Sequence, residues 1–113
     1  WDLAVLDGYE TMEGDGPIRG DAVPHRIPLA SRDYVAVDRV AMETMSIDPL
    51  VVGHLQYCAA VGLGNYDAAK IDVRGETIAA VKRNYKMHPT YEQQIKWKDA
   101  LTTAEPATPP AKK

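Results

Sequence analysis

A chain of 113 residues, 45% hydrophobic and 26% charged, has room for one domain and one modest core. Its 16 acidic and 13 basic residues give a formal net charge of -3, with the basic residues too few and too scattered for a nucleic-acid footprint. A single cysteine, Cys58, excludes an internal disulfide and any iron–sulfur cluster built from this segment alone.

The charge is unevenly spread. Residues Trp1 to Glu76 carry a net acidic excess, and Thr77 to Lys113 a net basic one, so the tail suits an acidic surface. The longest apolar segment, Pro49 to Gly64, is broken by Gly53, His54 and Gln56, so no membrane span is expected.

Leu3-Ala-Val-Leu6 is a short apolar run ended by Asp7-Gly8, which predicts a buried strand feeding a loop. Gly8 to Pro24 is loop-like, with four glycines. Arg26 to Ser31 predicts a second strand, in which Pro28 favours a sheet edge or bulge. Ser31 is a candidate N-cap for a helix over about Asp33 to Met45, with Asp33 in its first turn. Val37, Val40, Ala41, Thr44 and Met45 fall at helical spacing and form its buried stripe. Asp48-Pro49 starts a second helix, Pro49 to Val61, and Gly62 stops it. Ile71 to Gly75 alternates and predicts a third strand, whereas Thr77 to Lys82 suits either a helical turn or a strand. Thr90 to Leu101 predicts a last helix, and Ala104 to Lys113, rich in Pro and Ala, extended chain pinned against a neighbouring subunit. The expectation is an α/β core over 1–76, a helical extension over 77–103 and a tail over 104–113. The core would be a small mixed sheet with two consecutive helices on one face, part of a larger α/β structure whose other strands cover its edges.

The order of several short motifs carries a resemblance. Asp7-Gly8, then Met12-Glu-Gly-Asp-Gly-Pro17 and Gly20, are followed by Leu29-Ala-Ser-Arg-Asp33 and Val35-Ala-Val-Asp38. Ile47-Asp-Pro49, His54-Leu55, Gly62-Leu-Gly64 and Ile71-Asp-Val-Arg-Gly75 continue the pattern. The set resembles the C-terminal portion of the DUF362 family over about residues 2–76. Tyr34 stands where that family usually has Pro, and Ser46 where it usually has Gly. Some members look fused to ferredoxin-like iron–sulfur modules, so the resemblance implies redox chemistry nearby and a ferredoxin-like partner, without supplying a cluster here.

The candidate chemistry is acidic. Asp7, Glu13, Asp33 and Asp38 are the candidate catalytic residues; Asp7, Glu13 and Asp15 are the candidate ligands of a divalent cation such as Mg²⁺ or Ca²⁺, held through oxygen. A crowded pair of these carboxylates could instead share a proton as acid and base. Each also has a structural reading, as helix cap, turn cap or solvated ion pair, and substrate hydrogen bonding stays open. The loop Glu13 to Gly20 lacks both the lysine of a Walker phosphate cradle and GxGxxG spacing. His25, His54 and His88 are widely separated; His54 and Cys58 lie four apart, which permits two ligands on one helix face. Cys58 reads as a buried small hydrophobe. Trp97 and Tyr91 would either anchor a partner or pack back on the domain. Two functions follow: a redox-associated or metal-assisted enzyme portion with an acidic pocket, completed by an N-terminal half or another chain, or a noncatalytic assembly subunit making contacts through its C-terminal extension, with another chain or with further copies of itself in a homo-oligomer.

Overall fold

The structure, a computed structural model, describes residues 2–97. It is α/β, and its strands form two antiparallel pairs rather than one mixed sheet. Strand β1 (Ala4–Gly8) pairs with β4 (Ile27–Ser31), and β2 (Thr11–Asp15) pairs with β3 (Arg19–Val23). The stretch expected to be loop is therefore a β-hairpin inserted between the strands of the first pair. Its glycines obscure the pattern, because they replace the alternating apolar residues by which a strand is recognised. Two of them are sterically required. Gly14 has a φ of 76° and donates its N–H to the Lys86 carbonyl at 2.9 Å. A β-carbon on Gly20 would lie 2.5 Å from both the Glu13 carbonyl oxygen and Met12 Cγ.

Helix α1 (Tyr34–Thr44) is the centre of the core. Val35, Ala36, Val37, Val40, Ala41 and Thr44 are buried, joined by Leu55 from the next helix and by Tyr85 and His25. Each large apolar side chain removed from water there contributes roughly 1.5–3 kcal/mol. The cap of α1 is Asp33, not Ser31: Asp33 Oδ1 accepts from the Ala36 N–H at 2.9 Å, while the Ser31 hydroxyl accepts from the Asp33 N–H at 3.0 Å. The helix ends in a Schellman motif, with Ile47 N–H bonding back to the Met42 carbonyl and Ser46 N–H to Glu43. Ser46 occupies its left-handed position, φ 59°. That conformation favours glycine, which gives a physical reason for the glycine usual there in the resembled family. The Ser46 hydroxyl offsets the strain by donating to the Arg83 carbonyl at 2.9 Å.

Asp48-Pro49 does restart the helix, first as a 3-10 turn over Pro49–Val51 and then as α2 (Gly53–Ala60). The Asp48 side chain accepts from the Leu50 N–H, and Gly62, φ 78°, terminates α2 in a second Schellman motif with Leu63 N–H bonding to the Cys58 carbonyl. Ile71 to Gly75 is not a strand: after a 3-10 turn at Ala68–Lys70 it runs irregularly to Gly75. Its alternation has no partner strand to pair with among the described residues. The ambiguous Thr77 to Lys82 forms a helical turn, α3 (Ile78–Val81), capped by the Thr77 hydroxyl. The last helix is one turn, α4 (Tyr91–Gln94), shorter than the expected Thr90–Leu101: Ile95 and Lys96 are turn, with Trp97 just beyond, and residues 98–101 and the Ala104–Lys113 tail lie outside the described residues.

From Ile78 to Trp97 the chain returns across the N-terminal elements. The His25 ring joins the Val81 carbonyl through Nε2 at 2.7 Å and the Tyr85 hydroxyl through Nδ1 at 2.8 Å. The Tyr85 hydroxyl also meets the Thr11 hydroxyl. Arg83 N–H donates to the Thr44 carbonyl at 2.8 Å. Trp97 packs back onto the domain: its indole N–H donates to the Val51 carbonyl at 2.7 Å and its ring meets Tyr57 edge-on.

Candidate functional site

The five singled-out carboxylates are distributed along the chain's own joints. Asp7, exposed on β1, accepts from the Tyr9 N–H through Oδ1 at 2.9 Å. Glu13, on β2, accepts from the Lys86 N–H at 2.8 Å and so fixes the returning C-terminal segment against the hairpin. Asp15, at the end of β2, lies 3.2 Å from His88 Nε2 and 3.7 Å from Arg19 Nε. Asp33 has both oxygens engaged: Oδ1 caps α1 and Oδ2 accepts from the Asn65 N–H at 2.7 Å. A β-carbon on Gly64 would run into Asp33 Oδ1 and would lie 2.7 Å from Val35 Cβ, so the Gly62-Leu-Gly64 motif serves this approach. Asp38 is half-buried on α1. Glu13 and Asp15 share one strand, but no three His, Cys, Asp or Glu side chains among the described residues form a group that could hold a metal ion. His54 is exposed and Cys58 half-buried on α2.

A concavity among the described residues lies elsewhere. The hairpin, the C-terminal end of α1, the 3-10 turn before α2 and the Tyr85–Trp97 segment enclose a groove of about 750 Å³. All four methionines of the chain, Met12, Met42, Met45 and Met87, line it, with Tyr57 and Trp97. Glu13 alone of the five carboxylates reaches its lining. The groove is therefore apolar and adaptable, since thioether side chains repack at low cost. Its size is that of a small-ligand site. Sequence reasoning missed it because Met12, Met42 and Met87 belong to three unconnected elements, and only Met42 and Met45 share a helix.

A second feature is a polar pair that the fold leaves incomplete. Arg39 binds Glu43 at 2.8 Å and its guanidinium lies 4.9 Å from the Tyr66 ring centre. Arg39 Nε and the Tyr66 hydroxyl are buried without a hydrogen-bond partner among the described residues. Burial raises the Tyr66 phenol above its ordinary value, opposed by the nearby Arg39 charge. No helix among the described residues is long and apolar enough to cross a membrane.

Comparison with known proteins agrees with the order of the N-terminal motifs. The Thylakoid-associated protein sll1697 of Synechocystis sp. is 34% identical over 70 residues, which are 62% of this chain and 22% of that protein. The chain thus spans about a fifth of the length of that relative. No solved structure matches. Residues 1–43 match the DUF362 family, described as a domain of unknown function. The match takes in β1, the glycine hairpin, β4 and most of α1, and over that stretch the chain is similar to that family.

Proposed function

We propose that this chain is a noncatalytic, structural portion of a larger DUF362 protein, a unit that completes and is completed by the rest of an α/β assembly. The observation that carries this reading is the work done by its carboxylates. Asp7, Glu13 and Asp33 accept hydrogen bonds from the chain's own backbone, and Asp15 faces Arg19 and His88. These oxygens hold a turn, a strap, a helix start and a loop. A cation site would need them turned toward one centre. The extension after Glu76 supports the same reading, since up to Trp97 its bonds run inward to the core.

The test is metal analysis of the natively purified full-length protein, together with thermal unfolding under Mg²⁺ or Mn²⁺ titration. The structural reading expects no stoichiometric divalent cation and an unfolding midpoint that does not move with cation concentration. A stoichiometric metal lost on Glu13→Gln or Asp15→Asn would overturn it, in favour of a metal-assisted portion with Asp7, Glu13 and Asp15 as ligands.

A further inference from the structure

The two strands of the β1–β4 ribbon differ in what their free edges can accept. The ladder runs unbroken from Ala4–Ser31 to Gly8–Ile27, and Asp7 faces Pro28 within it. Pro28 has no N–H, so that pair is of the kind that exchanges no ladder bonds. The bonded pairs are then Ala4–Ser31, Leu6–Leu29 and Gly8–Ile27. The backbones of Val5 and Asp7 turn outward from β1, and those of Pro28 and Ala30 outward from β4. On β4 the proline interrupts the outward row of donors. On β1 the row is complete.

The outer face of this ribbon is apolar except for Asp7, which stands opposite Pro28. Val5 stands opposite Ala30, with Pro28 beside them and Leu3 one step along the same face. Leu3 is 59% and Val5 68% exposed, while Ala4, Leu6 and Leu29 face inward. A two-stranded ribbon is marginal alone, and an open edge whose one charge is Asp7, without lysine, proline or bulge, is one that proteins ordinarily cover. The matched segment is 22% of the Synechocystis protein, so in that relative most of the polypeptide lies outside the matched part and is available to cover such an edge.

We propose that the outer edge of β1 is a strand-addition site, where a strand from another part of the same longer polypeptide pairs with the outward N–H and C=O groups of Val5 and Asp7. An apolar residue of that strand covers Val5 and Leu3, so the added strand alternates apolar and polar side chains. This rests on the reading of the chain as a portion of a larger assembly and names which surface the rest of the protein occupies.

Amide hydrogen exchange, resolved to single residues in the full-length protein, tests it. The Val5 and Asp7 amides should exchange at least about a hundredfold slower than open surface amides, as in any paired strand. Val5→Pro removes an outward donor of β1, and Ala30→Pro removes one of β4, at similar cost to the ribbon itself. The proposal expects Val5→Pro to abolish protection at Asp7 and Ala30→Pro to leave it. Rapid exchange at both amides overturns it, as does equal loss of Asp7 protection in both variants. Protection that depends on protein concentration also overturns it, because the covering strand would then come from a second copy. Bound metal leaves these amides unaffected, so failure here is separate from failure of the structural reading.

Discussion

Replacing Asp33 by alanine isolates what one carboxylate does for this fold. Its Oδ1 supplies the helix cap, and losing such a cap costs about 1 kcal/mol. Its Oδ2 holds the half-buried Asn65 N–H, which is left without an acceptor at a further cost of ~1–2 kcal/mol. The loss is therefore about 2–3 kcal/mol, which for a domain of this size lowers the melting midpoint by ~10–20 °C. Asp33→Asn keeps one acceptor, so it retains the cap or the loop tie but not both, and should cost about half as much. Urea unfolding followed by far-ultraviolet circular dichroism gives both values, provided the slope with denaturant is unchanged. A loss below about 0.5 kcal/mol for Asp33→Ala would refute the account. So would a normal stability accompanied by loss of a bound cation.

Gly53→Ala should displace the Trp97 indole, because the new methyl would lie 2.8 Å from Trp97 Cδ2; a red-shifted tryptophan emission and a loss of about 1–3 kcal/mol are expected. Ser46→Ala keeps the left-handed strain and loses the bond to Arg83, costing ~1 kcal/mol, whereas Ser46→Gly relieves the strain and should stay within about 0.5 kcal/mol of the parent in the same unfolding assay. Tyr66→Phe removes a buried hydroxyl that has no partner and should leave stability equal or higher by up to ~1 kcal/mol. Its phenol is raised in the folded state, so its contribution is complete below the ordinary tyrosine value of 10.0 and is lost as pH climbs through the higher folded value; Tyr66→Phe should abolish that alkaline decline in the melting midpoint.

Much of this was legible where the signal is local. The stripe from Val37 to Thr44, the Asp48-Pro49 restart and the Gly62 stop each depend on a few neighbouring residues, and each appears at its place, whereas the apolar run at Leu3 forms a strand but not the expected buried one, since Leu3 and Val5 are exposed. The hairpin from Thr11 to Val23 was illegible because its glycines answer to contacts rather than to a local pattern: Gly14 to the approach of Lys86, far away in sequence, and Gly20 to Met12 and Glu13 across the ribbon. Ile71 to Gly75 shows the converse: alternation alone cannot make a strand without a partner edge. The cap of α1 was misplaced by two residues because Ser31 and Asp33 both bear capping side chains, and the choice depends on Asn65, which packs against only one of them. Composition singles out the acidic residues but cannot say whether a carboxylate faces a ligand or its own backbone. The methionine groove is a property of tertiary assembly alone.

The stretch beyond Glu76 carries no recognisable family motif, yet His25 on the matched side finds its acceptor at Val81 and its hydroxyl neighbour at Tyr85. A chain cut at the motif boundary would strand that imidazole and the Thr44 carbonyl, with nothing in the remaining sequence able to replace them. The seam between recognisable and unrecognisable sequence is thus no place to divide the polypeptide: its anonymous end is the keystone that lets its familiar end close.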